Sequence, residues 1–67
     1  NINASEIKEA LFSNPLILKT RDNRYMAIGN AQRIITVIFH MFKDTAFIIT
    51  SYLSTDVQRK LYKRRRG

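Results

Sequence analysis

Cysteine is absent from this 67-residue chain, and histidine occurs only once. Without cysteine the protein has no disulfide scaffold, no thiol nucleophile and no thiolate-bound zinc or iron–sulfur cluster. The single histidine and five scattered acidic residues give little material for another kind of metal site. The sequence therefore predicts that the protein uses neither a metal nor an organic cofactor.

Long hydrophobic runs are also lacking. No stretch approaches the roughly 18 apolar residues of a membrane helix, and no signal-peptide pattern opens the chain. Two glycines, one proline and 45% apolar residues in periodic runs argue against disorder. We expect one small cytoplasmic domain over residues 1–67, with no membrane contact. It begins with Asn1 rather than Met, which leaves open a truncation at the N-terminus.

Positive charge dominates the chain. Twelve Lys and Arg against five Asp and Glu give a net charge of +7. Residues 1–58 are nearly balanced, whereas residues 59–67 hold six basic side chains and no acidic one. This asymmetry favours an acidic partner, either nucleic-acid phosphates or an acidic protein. The alternative is a solvated basic helix end that complements the helix dipole.

The first segment is typical of a short helix. Asn3 and Glu6 have the spacing of a capping box. Ile2 and Ile7 have the spacing of a hydrophobic staple. Pro15 ends the segment, because the residue before a proline is disfavoured in helical geometry. About three turns are too few to be stable alone, so this helix must pack on another element.

Four strands are predicted to follow the helix. Their apolar and β-branched residues occupy 16–20, 24–28, 33–40 and 45–52, separated by turns at 21–23, Gly29-Asn30 and Lys43-Asp44. Because these connections are short, we expect the strands to pair as an antiparallel meander.

A second helix is predicted to close the chain. Ser54 or Thr55 is expected to cap it, and Gly67 to stop it. Val57 and Leu61 would form a narrow apolar stripe between basic faces.

The fold class that follows is α+β, an antiparallel sheet of about four strands with an N-terminal and a C-terminal helix, both covering one face. The third and fourth strands are apolar on both faces. We therefore expect the uncovered face to bind a protein partner or a second copy of the chain, with residues missing at the N-terminus as the alternative cover.

The chain lacks a glycine-rich phosphate loop, a Walker A sequence and a nucleophile elbow. RNA cleavage by the neighbouring 2′-hydroxyl needs none of these, since a weak base, an acid and cations that stabilise the phosphorane suffice. Candidate groups for that reaction are Lys19, Arg21, Arg24, Tyr25, His40 and Tyr52. The basic residues expected to bind phosphates are Arg59, Lys60, Lys63, Arg64, Arg65 and Arg66.

Each candidate also has a purely structural interpretation. His40 can be a polar residue at the end of a strand. Tyr25 and Tyr52 can be packing groups on the sheet, and Arg21 and Arg24 can be solvated cations beside a turn.

Several short segments follow one another along the chain in an order that is typical of a known family. They are the first helix running into Asn14-Pro15, then Arg24-Tyr25-Met26-Ala27-Ile28-Gly29, Thr36-Val37-Ile38-Phe39, Ile48-Ile49-Thr50-Ser51 with Ser54-Thr55, and Arg59-Lys60-Leu61-Tyr62. In this order they resemble the BrnT family of type II toxin–antitoxin toxins, which have a RelE-like fold. The resemblance spans essentially the whole chain.

The chain departs from the family pattern in three places. The usual opening, with its Trp-Asp and Lys-His-Gly elements, is absent. His40-Met41-Phe42 stands where the family commonly has a Glu-Arg pair, and Tyr52 stands where it commonly has Arg. Two charged positions expected to contact RNA are therefore replaced.

The resemblance implies a RelE-like fold, an antitoxin protein as partner, and ribonuclease activity that depends on Arg24, Tyr25, His40 and Tyr52. Our leading hypothesis is a cytoplasmic toxin that cleaves RNA without a metal. In it His40 or Tyr52 transfers the proton, Arg21 and Arg24 stabilise the phosphate, and the basic helix supplies affinity. The alternative is a non-catalytic module of the same fold that binds nucleic acid or a protein partner.

Overall fold

Two helices enclose a four-stranded meander in the order of the chain. The computed structural model describes residues 2–66, so the expected stop at Gly67 lies outside the described residues. The elements are α1 (Ala4–Phe12), β1 (Leu16–Lys19), β2 (Arg24–Asn30), β3 (Ile34–Phe42), β4 (Thr45–Leu53) and α2 (Asp56–Arg66). The strands form one antiparallel sheet in the order β1-β2-β3-β4. The predicted α+β class is confirmed.

Helix α1 begins with the expected capping box. The Asn3 side-chain oxygen accepts a hydrogen bond from the Glu6 N–H at 2.8 Å, and the Glu6 carboxylate accepts one from the Asn3 N–H at 3.3 Å. Ile2 and Ile7 both pack against the core. The helix ends at Phe12, two residues before Asn14 enters the left-handed region with φ 53°. These local signals fix both ends of α1.

The predicted turn at Gly29-Asn30 is wrong, since both residues belong to β2 and the turn lies at 31–33. Gly29 is buried beneath α1, where a β-carbon would lie 2.4 Å from the Ala10 carbonyl oxygen. The glycine is therefore needed for a close approach between helix and strand, not for a change of chain direction.

Two tight turns set the register of the sheet. Asp22 and Asn23 have φ of 53° and 61°, and Lys43 and Asp44 have φ of 48° and 66°. Two successive positive φ values are the pattern of a type I′ turn, whose twist matches that of the flanking strands. The turns expected at 21–23 and 43–44 are confirmed.

The helices cover opposite faces of the sheet, so the expectation that both cover one face is wrong. Ala10 of α1 packs in the core with Ile35 and Val37 of β3. Gln58 of α2 instead reaches Thr36, whose hydroxyl donates to the Gln58 side-chain oxygen at 2.9 Å. Neighbouring residues of a strand point to opposite faces. We call these the α1 face and the α2 face.

Ser54 explains why α2 lies on the second face. It is buried, and its hydroxyl oxygen lies 2.7 Å from the Thr36 hydroxyl oxygen. This contact directs the chain toward the Thr36 side of the sheet as it leaves β4.

Uncovered apolar surface is concentrated at β4, the edge strand. Phe47, Ile48, Ile49 and Leu53 remain about half exposed there. A β-bulge shifts the register between Ile38/Phe39 of β3 and β4, which leaves Ile49 without a partner in the register. The exposed surface is thus an edge with apolar groups on both sides, not one whole face of the sheet as expected. Within residues 2–66, neither helix has the length and hydropathy needed to cross a membrane.

Candidate nucleic-acid interface

A cation, an imidazole and an aromatic ring form a row across three strands. Arg24 of β2 lies opposite His40 of β3, and His40 lies opposite Phe47 of β4. Residues opposite each other in antiparallel strands point to the same face, with β-carbons about 4.5–5.5 Å apart. His40 lies four residues from Thr36 along β3, so the row belongs to the α2 face. Arg24 is exposed, His40 half-buried and Phe47 52% exposed.

A second aromatic ring with a lysine extends this row. Phe42 lies two residues beyond His40, so it points to the same face. The Lys43 ammonium lies 5.4 Å from the centroid of the Phe42 ring, which is a cation–π contact. We call Arg24, His40, Phe42, Lys43 and Phe47 the aromatic–basic patch.

Arg21 belongs to the same end of the sheet. It lies in the turn before β2, where its carbonyl oxygen accepts a hydrogen bond from the Arg24 N–H at 2.8 Å. The same turn is tied to β3, because the Met41 N–H donates to the Asn23 carbonyl oxygen at 3.1 Å. Both bonds hold the turn against the strand that contains His40.

Tyr25 and Lys19 lie on the other side of the sheet. They face each other across β1 and β2, and Tyr25 lies opposite Phe39. The Tyr25 and Phe39 rings are stacked, with centroids 5.5 Å apart and planes inclined by 16°. The sheet therefore separates both residues from Arg24 and His40, and Tyr25 has a packing contact of its own.

Tyr52 points to the α2 face but lies away from His40. It is opposite Thr36, four residues along β3, which corresponds to about 13 Å. The phenolic oxygen accepts a hydrogen bond from the Gln58 side-chain nitrogen at 3.0 Å. The four candidate catalytic residues therefore do not converge on one point, and only Arg24 and His40 are neighbours.

Gln58 holds Tyr52 in place through a polar network. Its side-chain oxygen accepts hydrogen bonds from the Thr55 N–H and the Thr36 hydroxyl, both at 2.9 Å. Because a backbone N–H can only donate, the amide orientation is fixed and the nitrogen must face Tyr52. The Thr55 hydroxyl in turn accepts from the Gln58 N–H at 3.2 Å. Thr55, rather than Ser54, is thus the capping residue of α2.

Helix α2 packs on β1 and β2 through a face that differs from the expected one. Val57 is 76% exposed, so the predicted Val57–Leu61 stripe is wrong. The Gln58 amide makes the contacts that anchor the start of the helix, because it reaches the buried Thr36 while Val57 points to solvent.

The basic residues of α2 fall into two groups. The Arg59 guanidinium donates to the Ser54 carbonyl oxygen at 2.9 Å and pairs with the Asp56 carboxylate. The other five are exposed, and four of them lie in the last turn, where they complement the helix dipole: Lys60, Lys63, Arg64, Arg65 and Arg66. These cations extend from a helix that rests on the α2 face, the face of the aromatic–basic patch.

The other strong ion pair lies between α1 and the turn after β2. The Arg33 guanidinium contacts both carboxylate oxygens of Glu6, at 2.8 and 3.1 Å. The hydrogen bond from Arg33 lowers the pKa of Glu6, and the capping bond from Asn3 lowers it further. The same bond to Glu6 raises the pKa of Arg33. The positive charge of Arg33 thereby balances the negative charge of the Glu6 carboxylate.

In the part of the chain the structure describes, no three His, Asp or Glu side chains are grouped as metal ligands.

Sequence reasoning did not name three residues of this patch as site residues, which are Phe42, Lys43 and Phe47. A two-residue turn at Lys43-Asp44 places Phe42 opposite Thr45, and counting two residues further places His40 opposite Phe47. The signal was therefore present in the sequence, but it required the turn type as well as the strand pattern.

Comparisons with protein-family models, with curated proteins and with solved structures find no match to this chain.

Proposed function

We propose that this protein is a RelE-like toxin, a metal-independent endoribonuclease that is neutralised by an antitoxin protein. The observation that supports it best is the juxtaposition of Arg24 and His40 on the sheet face that also holds the basic helix α2. The imidazole can supply the base and the guanidinium the cation for cleavage by the neighbouring 2′-hydroxyl, and water can supply the acid.

In this proposal His40 is the general base. Its imidazole takes the proton of the 2′-hydroxyl, whose oxygen forms a bond to phosphorus. Arg24, with Arg21 at the same end of the sheet, stabilises the charge of the phosphorane. The bond from phosphorus to the 5′-oxygen then breaks, and that oxygen takes a proton from water. The products are a 2′,3′-cyclic phosphate and a 5′-hydroxyl. Tyr52 has no place in this step, since it lies about 13 Å along the sheet.

The exposed edge supports a protein partner. Strand β4 has no charged residue, and its outer edge and several apolar side chains are uncovered. Unpaired edge strands are templates for another strand. An antitoxin segment is the occupant that we propose, and a second copy of the chain is the alternative for this edge.

A binding module without catalytic activity is the second candidate. It is favoured by the separation of the four candidate residues, since Tyr25 faces the other side of the sheet and Tyr52 is bonded to Gln58. Arg24 and His40 would then be contacts for phosphate rather than reactive groups.

Cleavage of labelled RNA tests the two candidates against each other. The purified protein is incubated with an mRNA in chelator-containing buffer, with and without ribosomes, and the 3′ ends are analysed. We expect 2′,3′-cyclic phosphates, lost in His40→Ala and in Arg24→Ala but retained in the control Tyr25→Phe, which keeps the stacked ring. Intact RNA in both conditions, with RNA binding retained, would leave the binding module as the function.

A further inference from the structure

We propose that Phe47 is a stacking platform for an unpaired RNA base, placed beside the Arg24–His40 pair. This inference rests on the proposed function for its ligand, RNA, but not on whether that RNA is cleaved. It assigns a role to a residue that neither the sequence pattern nor the proposed reaction uses.

Exposure and surroundings single out Phe47 within the aromatic–basic patch. Phe42 and Phe47 are similarly exposed, at 56% and 52%. The Phe42 ring is the one in contact with the Lys43 ammonium. Among residues 2–66, the aromatic and cation–π contacts of the structure do not involve Phe47. Its ring is thus an apolar surface that is open to a ligand.

The position of Phe47 suits a nucleotide that also reaches the other two residues of the row. His40 is its direct cross-strand neighbour, and Arg24 lies one strand further at a spacing of about 4.8 Å. A base lying on the Phe47 ring would direct its sugar and phosphate along this row. The ribose would then approach the imidazole, and the phosphate would approach the guanidinium.

Charge decides in favour of a nucleic acid as the occupant. Arg24 lies beyond His40 in the same row, Lys43 lies in the turn between β3 and β4, and α2 adds exposed cations on the same face. A cationic surface with interspersed aromatic side chains is the pattern of single-strand binding sites. Bases inside a duplex have no free face for stacking, so the site selects unpaired residues.

Binding of a non-cleavable RNA tests the inference. A single-stranded 2′-O-methyl oligonucleotide lacks the attacking hydroxyl, and a duplex of the same sequence is the comparison ligand. We expect preference for the single strand, and Phe47→Leu is expected to weaken that binding about 5- to 100-fold. Phe47→Tyr, which keeps an aromatic face, should bind as the wild type does. The matched control is Phe12→Leu, which removes a 79% exposed ring at the end of α1, outside the aromatic–basic patch, and it should leave the affinity unchanged.

The outcomes separate this inference from the ribonuclease proposal. Equal losses in Phe47→Leu and Phe12→Leu, or no loss in Phe47→Leu, would overturn the stacking role even if the wild type cleaves RNA. Phe47-dependent binding without any cleavage of ordinary RNA would support stacking and remove the ribonuclease. If the protein binds a peptide strand at this place and no RNA, both proposals fail.

Discussion

The β-carbon that Gly29 lacks would lie 2.4 Å from the carbonyl oxygen of Ala10. Helix α1 and strand β2 therefore meet backbone to backbone, with Ala10 the smallest side chain that α1 could present apart from glycine. Such an approach leaves no room for a side chain on the strand.

Gly29→Ala should consequently destabilise the protein by about 1–3 kcal/mol, as overpacking of a close-packed site does. The clashing atoms belong to the helix backbone, so no change of rotamer can relieve them. Urea unfolding followed by circular dichroism measures the loss. Adding Ala10→Gly removes only the Ala10 β-carbon and should restore nothing. Recovery in the double variant would show that the methyl group, not the carbonyl, limits the approach.

Gln58 and Thr36 should be strongly coupled in stability. Gln58→Leu removes the acceptor of the buried Thr36 hydroxyl and of the Thr55 N–H, and we expect a loss of about 1–3 kcal/mol. Thr36→Val combined with Gln58→Leu should cost less than the two separate losses together, because both substitutions remove the same Thr36–Gln58 hydrogen bond and the double variant loses it only once. A double-mutant cycle in urea measures this, and simple additivity would contradict the network.

Glu6 should make stability depend on pH at the acidic end. Arg33 and Asn3 lower its pKa in the folded state below the ordinary value of 4.5. Its stabilising contribution is therefore complete above pH 4.5 and is lost as the pH falls through the lowered folded value. The gap in urea midpoint between wild type and Glu6→Gln should be widest near neutral pH and should close on acidification. Glu9→Gln, on the same helix, is the control, and the same closing gap in that variant would contradict the assignment to Glu6.

The salt dependence of RNA binding should identify which cations of α2 contact phosphates. Each lost contact to single-stranded RNA lowers the slope of log Kobs against log salt by about 0.7. We expect the double variant Arg64→Gln/Arg65→Gln to lower the slope by about 1.4. Arg59→Gln is the matched control on the same helix, since Arg59 already contacts Asp56 and the Ser54 carbonyl. An unchanged slope in the double variant would remove the helix end from the RNA site.

Local signals in the sequence were sufficient for both ends of α1, for the start of α2 and for two of the turns. Asn3 with Glu6 and Thr55 with Gln58 bond to each other within one helical turn, so the start of each helix is marked by residues that are close in the sequence. The Lys43-Asp44 turn is equally local.

Features that depend on tertiary packing could not be predicted from local sequence signals. Gly29-Asn30 has the composition of a turn, yet the approach of α1 makes it part of a strand. The face covered by α2 is decided by the contact of Ser54 with Thr36, which are 18 residues apart. Val57 looks like the apolar anchor of its helix, but the anchor is the amide of Gln58.

The candidate site likewise has residues that the local sequence identifies and others that only the tertiary structure identifies. Arg24 and His40 could be named from residue type and strand position, because both are polar groups near strand ends. Their pairing, and the exclusion of Tyr25 and Tyr52 from it, required the register and the faces of the sheet. Phe47 could be recognised as a candidate only from the register that places it opposite His40.

The placement of one helix on each face has a practical consequence for mutagenesis of β3. Residues 35, 37 and 39 have odd numbers and point toward α1, whereas residues 38, 40 and 42 have even numbers and point to the side of the patch. Substitutions at positions 35, 37 and 39 should therefore change the stability of the fold, as should those at the buried Thr36. Substitutions at positions 40 and 42 should change ligand affinity in a protein that is still folded.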